Sequence, residues 1–211
     1  MSSGKTKSIR LLVADDHALL RQGIASLIGL EPDLELVAEA ATGREAVAQF
    51  QAHRPDITLL DLQMPEMSGL DALSAIRSEF PQARIIVLTT YAGDVQVMRA
   101  LQAGARGYLL KGRVHKELLE AIRAVHAGHK RLSPEVAAAL AEHAGEEELS
   151  ARELDVLRLI AAGNANKEIA AQLSVTEETV KSHVTSILSK LAANDRTHAV
   201  TLALQRGIIE I

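Results

Sequence analysis

The 211 residues are 47% hydrophobic and 24% charged with a net charge of −4, which permits a packed core and excludes wholesale disorder. Aromatic residues make up only 2%, with no Trp, and there is no Cys; stacking platforms for single-stranded nucleic acid, disulfides, thiolate metal sites and a cysteine nucleophile are excluded. No apolar run approaches the roughly 20 residues that span a bilayer, and the opening MSSGKTKS has no hydrophobic signal segment, so a soluble, cytoplasmic chain without a membrane partner is expected.

In chain order, the first 128 residues alternate short aliphatic runs with helix-period segments. The runs are Ile9 to Ala14, Leu34 to Ala38, Asp56 to Leu60, Arg84 to Leu88 and Gly107 to Leu110. Leu20, Ile24, Leu27 and Ile28 form a helical stripe after the first, and Leu118, Ile122 and Val125 form another after the last. Five strands, each followed by a helix, predict a parallel sheet covered on both faces. The domain is expected over 1–128, holding 14 basic and 15 acidic residues.

Residues 129–148 read as a linker with a short helix opened by Ser133 and Pro134, then Gly145 and the acidic triplet Glu146 to Glu148. The remaining 149–211 is predicted all-helical, with seven basic and seven acidic residues, so any DNA-binding surface must concentrate its cations on one face. Ser150 with Glu153 forms an S-x-x-E capping box for a helix that stops before Gly163. Lys167 to Leu173 supplies the next. Thr176 caps a third with Glu177 and Glu178 in its first turn, and Asp195 to Gln205 closes the chain.

Asp15 and Asp16 end the first run and Asp61 ends the third. In a parallel sheet both places lie at the carboxyl edge, where open α/β folds build their sites. If strands one and three are neighbours, three carboxylates converge, repel one another, and favour a hard divalent cation such as Mg²⁺. Thr89 and Lys111 end the fourth and fifth runs, adding a hydroxyl and an ammonium. That set suits phosphoryl transfer: Asp61 attacks phosphorus, Mg²⁺ and Lys111 neutralise the oxygens, and Thr89 bonds one of them. Singly, each has an ordinary explanation: Asp16 as a helix cap, Lys111 as a solvated cation, Thr89 as a β-branched strand residue.

The segments VADDHALLRQG (13–23), DLQMPEMSGLDAL (61–73), VLTTY (87–91) and AGARGYLLK (103–111) resemble the receiver domain of bacterial two-component response regulators. The resemblance implies a flavodoxin-like sheet of order 2-1-3-4-5 and an Asp61 phosphorylated by a sensor histidine kinase. It further implies Mg²⁺ held by Asp16, Asp61 and the main-chain carbonyl of Gln63, with Asp15 acting through water. Thr89 and Tyr108 match the family's switch pair and Lys111 its phosphate-contacting lysine. Gly112 follows that lysine where relatives often carry Asp or Pro. Phosphate would draw Thr89 inward, and Tyr108 would fill the vacated space.

In the tail, Val180, Val184, Ile187, Leu188 and Leu191 form an apolar stripe opposite Lys181, Ser182, Thr185, Ser186 and Ser189. That polar face suits either a DNA groove or solvent, Lys167 could clamp a phosphate, and His183 is equally a surface group or a contact. LSARELDVLRLIAAGNANKEIAAQLSVTEETVKSHVTSILSKL (149–191) and NDRTHAV (194–200) resemble the LuxR-type helix-turn-helix domain of NarL/FixJ-type regulators, with Lys167, Thr179, Lys181, His183 and Lys190 on its pattern. The resemblance implies that the helix over about 177–191 enters the major groove of double-stranded promoter DNA, and that Lys167, Thr179, Lys181, Ser182, His183, Thr185 and Lys190 contact it. It implies too that helix 195–205 pairs two copies; Val200 and Leu204 suit such a seam or the domain's own core.

The expected function is a DNA-binding transcriptional response regulator, homodimeric when active, with RNA polymerase as a further candidate partner. It is no enzyme beyond slow autodephosphorylation. Two other classes remain open: an aspartyl-phosphate hydrolase, which lacks a second acid where Gln63 stands, and a helical module that binds protein instead of DNA.

Overall fold

A computed structural model describes residues 8–90, 94–142 and 147–209 of the chain, which divides into two compact units. The first is an α/β layer structure. Its strands β1 (Ile9–Ala14), β2 (Leu34–Ala40), β3 (Ile57–Asp61), β4 (Ile85–Thr89) and β5 (Gly107–Leu110) alternate with helices α1 (Ala18–Gly29), α2 (Gly43–His53), α3 (Gly69–Glu79), α4 (Asp94–Gln102) and α5 (Val114–His126). β3 and β4 are buried at every residue, as central strands covered on both faces must be. β2, at the sheet edge, alternates and exposes Glu35 and Glu39. Ile24 and Ile28 of α1 and Leu118, Ile122 and Val125 of α5 pack with Leu11, Val13, Leu59 and Leu109 in one core.

All strands pair in parallel, in the order β2-β1-β3-β4-β5-β6. The expected order therefore holds, but the sheet has six strands where the sequence displays five. β6 is only Arg131–Leu132, paired with β5 at Gly107 and Tyr108. Two residues make no recognisable run; the pairing satisfies main-chain groups on the otherwise open edge of β5. Beyond it the Ser133 N–H donates to the Tyr108 carbonyl at 3.2 Å. The short helix expected here is α6 (Pro134–Glu142); Gly145 and Glu146 lie outside the described residues, as does Tyr91.

Five helix starts among the described residues follow the capping rules, and α1 departs from them informatively. Thr42, Ser68, Ser150, Thr176 and Asp195 each accept from a main-chain N–H in the first turn of α2, α3, α7 (Ala151–Ala161), α9 (Glu177–Lys190) and α10 (Arg196–Gln205). At α1 the capping position is His17, which makes no side-chain cap bond. Asp16 is thus not spent as a helix cap, and the bland explanation for it falls.

The second unit is built on α7, α8 (Asn166–Leu173), α9 and α10. Val156, Leu157, Ile160, Ile169, Val180, Ile187, Leu191, Ala199 and Ala203 form its core, against which Val200 and Leu204 pack while partly exposed. Those side chains therefore pack in part on the domain's own core. Between α8 and α9 the chain turns at Ser174, whose φ of 54° is left-handed. This is a helix-turn-helix arrangement. Among the described residues, no helix is long and apolar enough to cross a membrane.

Candidate functional site

From β1 the chain runs to β2 on one side and pairs with β3 on the other, so the carboxyl ends of β1 and β3 flank the crevice where strand order reverses. Ala14 lies opposite Leu60, which places Asp15 beside Asp61. One potential ligand atom each from Asp15, Asp16, His17 and Asp61 falls within a 4.8 Å cluster. Asp15 and Asp61 are buried, at 0% and 2% exposure, whereas Asp16 and His17 face solvent.

Lys111 starts the 3-10 turn that follows β5. Its Nζ lies 2.7 Å from Asp61 Oδ2 and 2.8 Å from Asp15 Oδ2. It donates a hydrogen bond to Asp61, while Asp15 Oδ2 is buried without hydrogen-bond alignment to any partner. The other oxygens are engaged by main chain: the His17 N–H donates to Asp15 Oδ1 at 2.8 Å and the Gln63 N–H to Asp61 Oδ1 at 3.1 Å. Burial pushes the Asp61 carboxyl above the usual carboxylate value, against the pull of the Lys111 hydrogen bond. Burial works to lower the Lys111 ammonium, but the two carboxylates outweigh it and hold it above its ordinary value.

The loop after β3 is shaped by glycine. A Cβ on Gly69 would sit 1.8 Å from the Asp61 carbonyl oxygen, and one on Gly43 would sit 2.2 Å from the Met67 carbonyl oxygen. Both close approaches hold the backbone of the Asp61 loop from behind, and only glycine permits them.

Can the pocket hold a cation? Asp15 Oδ2 and Asp61 Oδ2 share the single ammonium of Lys111, which leaves excess negative charge that is costly to bury, and the three carboxylates form a hard, oxygen-rich donor set. The residues fit a divalent cation. His17, absent from the sequence-derived set, joins the cluster with its Nδ1 2.6 Å from Asp16 Oδ1; its position directly after the acid pair was the available signal.

Thr89 closes β4 and is buried beside Tyr108 on β5. Tyr108 is wholly buried and its hydroxyl makes no aligned hydrogen bond. Burial pushes the phenol up to about 12, tempered by the Thr89 hydroxyl. The ring expected to move into a vacated space is therefore already inside.

On the second unit, α9 presents Lys181, Ser182, Thr185 and Ser189 to solvent, with His183 half-buried. Lys181 reaches Glu178 at 3.2 Å, both exposed, a pairing worth little. The Thr185 hydroxyl donates to the Lys181 carbonyl, and Thr179 meets the Thr176 hydroxyl with its own hydroxyl at 2.9 Å and its N–H at 3.1 Å. Lys167 is exposed in the first turn of α8. Ser186, assigned to the polar face from sequence, and Lys190, expected among the DNA contacts, turn inward instead: the Ser186 hydroxyl donates to Glu153 Oε1 at 2.6 Å, and Lys190 Nζ donates to Glu153 Oε2 at 3.0 Å.

With these geometries in view, residues 11–123 match the family model described as a response regulator receiver domain, and residues 147–203 match that of bacterial regulatory proteins of the luxR family. The response regulator protein VraR of Staphylococcus aureus is 39% identical over 208 residues, covering 96% of this chain and 100% of that protein. The crystal structure of response regulator ChrA, from a heme-sensing two-component system, is similar at 36% identity and TM-score 0.57, covering 96% of this chain and 99% of that one. An RcsB–DNA complex is similar at 25% identity and TM-score 0.73, over 94% and 99% of the two chains.

Proposed function

Because the chain belongs to the two-component response regulators that carry a LuxR-type DNA-binding domain, we propose that Asp61 is its phosphoacceptor and that phosphorylation controls promoter binding by α9. The observation that carries this is the seating of Lys111 Nζ between Asp61 Oδ2 at 2.7 Å and the buried Asp15 Oδ2 at 2.8 Å. A carboxylate paired with an ammonium stays anionic and nucleophilic. Asp15, Asp16, Asp61 and the Gln63 main-chain carbonyl would hold Mg²⁺, which neutralises charge on the phosphoryl oxygens when bound.

Asp61 attacks the phosphorus of a phosphohistidine on a sensor histidine kinase. A P–O bond forms as the P–N bond breaks, and the imidazole leaves with the electron pair. Lys111 pairs with a phosphoryl oxygen and Thr89 donates its hydroxyl to another. Tyr108, already inside, marks the arrangement that phosphate favours, so phosphorylation biases an equilibrium the chain already samples. The acyl phosphate is lost by slow autodephosphorylation, without multiple turnover.

We assign the receiver to 1–128, the linker to 129–148 and the DNA-binding domain to 149–211; β6 and the start of α6 join the first unit. In the second, Lys181, Ser182, His183 and Thr185 on α9 face the major groove of promoter DNA, with Lys167 and the Thr179 turn at flanking phosphates. Two copies bind a dyad-symmetric site, in the cytoplasm, where RNA polymerase is a further partner. Footprinting with and without a small acyl-phosphate donor tests the reading: protection should appear at lower protein concentration with the donor, and identical curves would remove phosphorylation from the control of DNA binding.

A further inference from the structure

A single carboxylate in the second unit touches more of the helix-turn-helix than any capping role requires. Glu153 stands in the first turn of α7 and is 5% exposed. Its Oε2 accepts the Ser150 N–H at 2.7 Å, completing the capping box. The same oxygen accepts Lys190 Nζ at 3.0 Å, and Oε1 accepts the Ser186 hydroxyl at 2.6 Å. Ser186 and Lys190 are one turn apart on α9, so one carboxylate grips that helix at two heights. Lys190 Nζ donates further to the Glu148 carbonyl at 3.1 Å, which brings the residue where the chain enters the domain into the same cluster.

The apolar contacts of α9, through Val180, Ile187 and Leu191, hold it against the core but constrain direction weakly, because dispersion and hydrophobic burial are non-directional. Hydrogen bonds constrain direction, and charge-assisted ones most of all. Two such bonds to one fixed acceptor set both the rotation of α9 about its axis and its position along it. The face fixed in this way is the one that exposes Lys181, Ser182 and Thr185, and base readout depends on the placement of such side chains.

We infer that Glu153 is a positioning residue for DNA recognition, acting through Ser186 and Lys190 to set the orientation of α9 without touching DNA, and that Lys190 serves this clasp and makes no phosphate contact. The inference rests on α9 being the DNA-reading helix. Its strength comes from the exclusivity of the Lys190 ammonium: it is 20% exposed and directed to Glu153 and Glu148, whereas Lys167 and Lys181 are open to solvent.

The test uses the full chain and a duplex selected by the wild-type protein from genomic fragments. Glu153→Gln and Lys190→Met should each weaken binding about tenfold, and the double variant should bind no more weakly than either single one, as for partners in one interaction. The dependence of affinity on salt should keep the wild-type slope, and Lys190→Arg should restore binding. A Lys190→Met slope shallower by about 0.9, the share of one phosphate contact, alongside wild-type binding by Glu153→Gln, would overturn the inference. Ser186→Ala, a milder change, should weaken binding about threefold. Amide exchange of α9 gives a reading that needs no DNA: faster exchange in Glu153→Gln supports the clasp, and unchanged protection overturns it. A wild-type chain that binds no duplex would defeat the DNA-binding assignment while leaving the exchange result to decide the clasp.

Discussion

Removing the Lys111 ammonium gives the sharpest physical test of the pocket. Lys111→Met keeps the aliphatic stem and deletes the charge that lies 2.7 and 2.8 Å from two buried carboxylates. At an effective dielectric constant of about 20, each of those attractions is worth about 6 kcal/mol. Desolvation of three ions offsets much of this, and breaking a buried pair by deleting one partner costs about 3–5 kcal/mol net. Without the cation, Asp15 and Asp61 confront each other across at most 4.8 Å, a repulsion of about 3 kcal/mol on the same scale. The pH dependence follows from Asp61, whose folded carboxyl already lies above its ordinary value. A raised acid binds more protons folded than unfolded, so its penalty is full above the folded value and disappears as pH falls through it. Lys111→Met raises that carboxyl further. In urea unfolding followed by circular dichroism in chelator, the variant should be about 3 kcal/mol less stable in its receiver transition at pH 7. The gap should narrow as pH falls below the carboxylate range. At pH 7, millimolar Mg²⁺ should return part of it, since the divalent ion supplies the missing positive charge. A deficit under about 0.5 kcal/mol, the level of an ordinary surface substitution, or one that does not change with pH, would refute the reasoning.

Three further outcomes follow. Gly69→Ala places a Cβ 1.8 Å from the Asp61 carbonyl oxygen and should cost about 3 kcal/mol, the upper end for overpacking against backbone, read as a lowered Tm together with slower phosphorylation. Tyr108→Phe deletes a buried hydroxyl that has no aligned hydrogen bond, so its stability should stay within about 0.5 kcal/mol of wild type; a loss above about 1 kcal/mol would mean the hydroxyl is satisfied. Glu153 is held down to about 2 by Ser186, Ser150 and Lys190 against the cost of burial. A depressed acid contributes stability that is present above its unfolded value and lost as pH falls through the folded one. Glu153→Gln should therefore cost on the order of 2 kcal/mol at neutral pH after solvent screening and much less near pH 2, as measured by denaturant midpoints.

Much of the fold is visible in residue order because the sheet is parallel and doubly covered. β1 and β5 end where a charged residue, Asp15 or Lys111, follows an apolar stretch, and the expected bounds of both match the structure. The convergence of Asp15, Asp61 and Lys111 was legible for the same reason: strand ends fix carboxyl-edge positions once the strand order is set. β6 was not legible, since pairing of two residues depends on the free edge of β5 and not on their own pattern. The inward turn of Ser186 and Lys190 was hidden differently. Periodicity separates an apolar stripe from everything else, and both residues flank that stripe, so only the presence of a buried acceptor on α7 decides which way they face. Glu153 itself looked complete as half of a capping box. The close approaches at Gly43 and Gly69 likewise depend on what packs behind them.

The central claim is that Asp61 carries a transient acyl phosphate in a pocket held together by Lys111 and a divalent cation. Its most direct measurement is reductive trapping of the acyl phosphate after exposure to a small phosphodonor, followed by mass spectrometry of the peptides. The account predicts modification at Asp61 that requires Mg²⁺, disappears in chelator and is absent from Asp61→Ala. Trapped phosphate on Asp15 or Asp16, or equal labelling of Asp61→Ala, would contradict it.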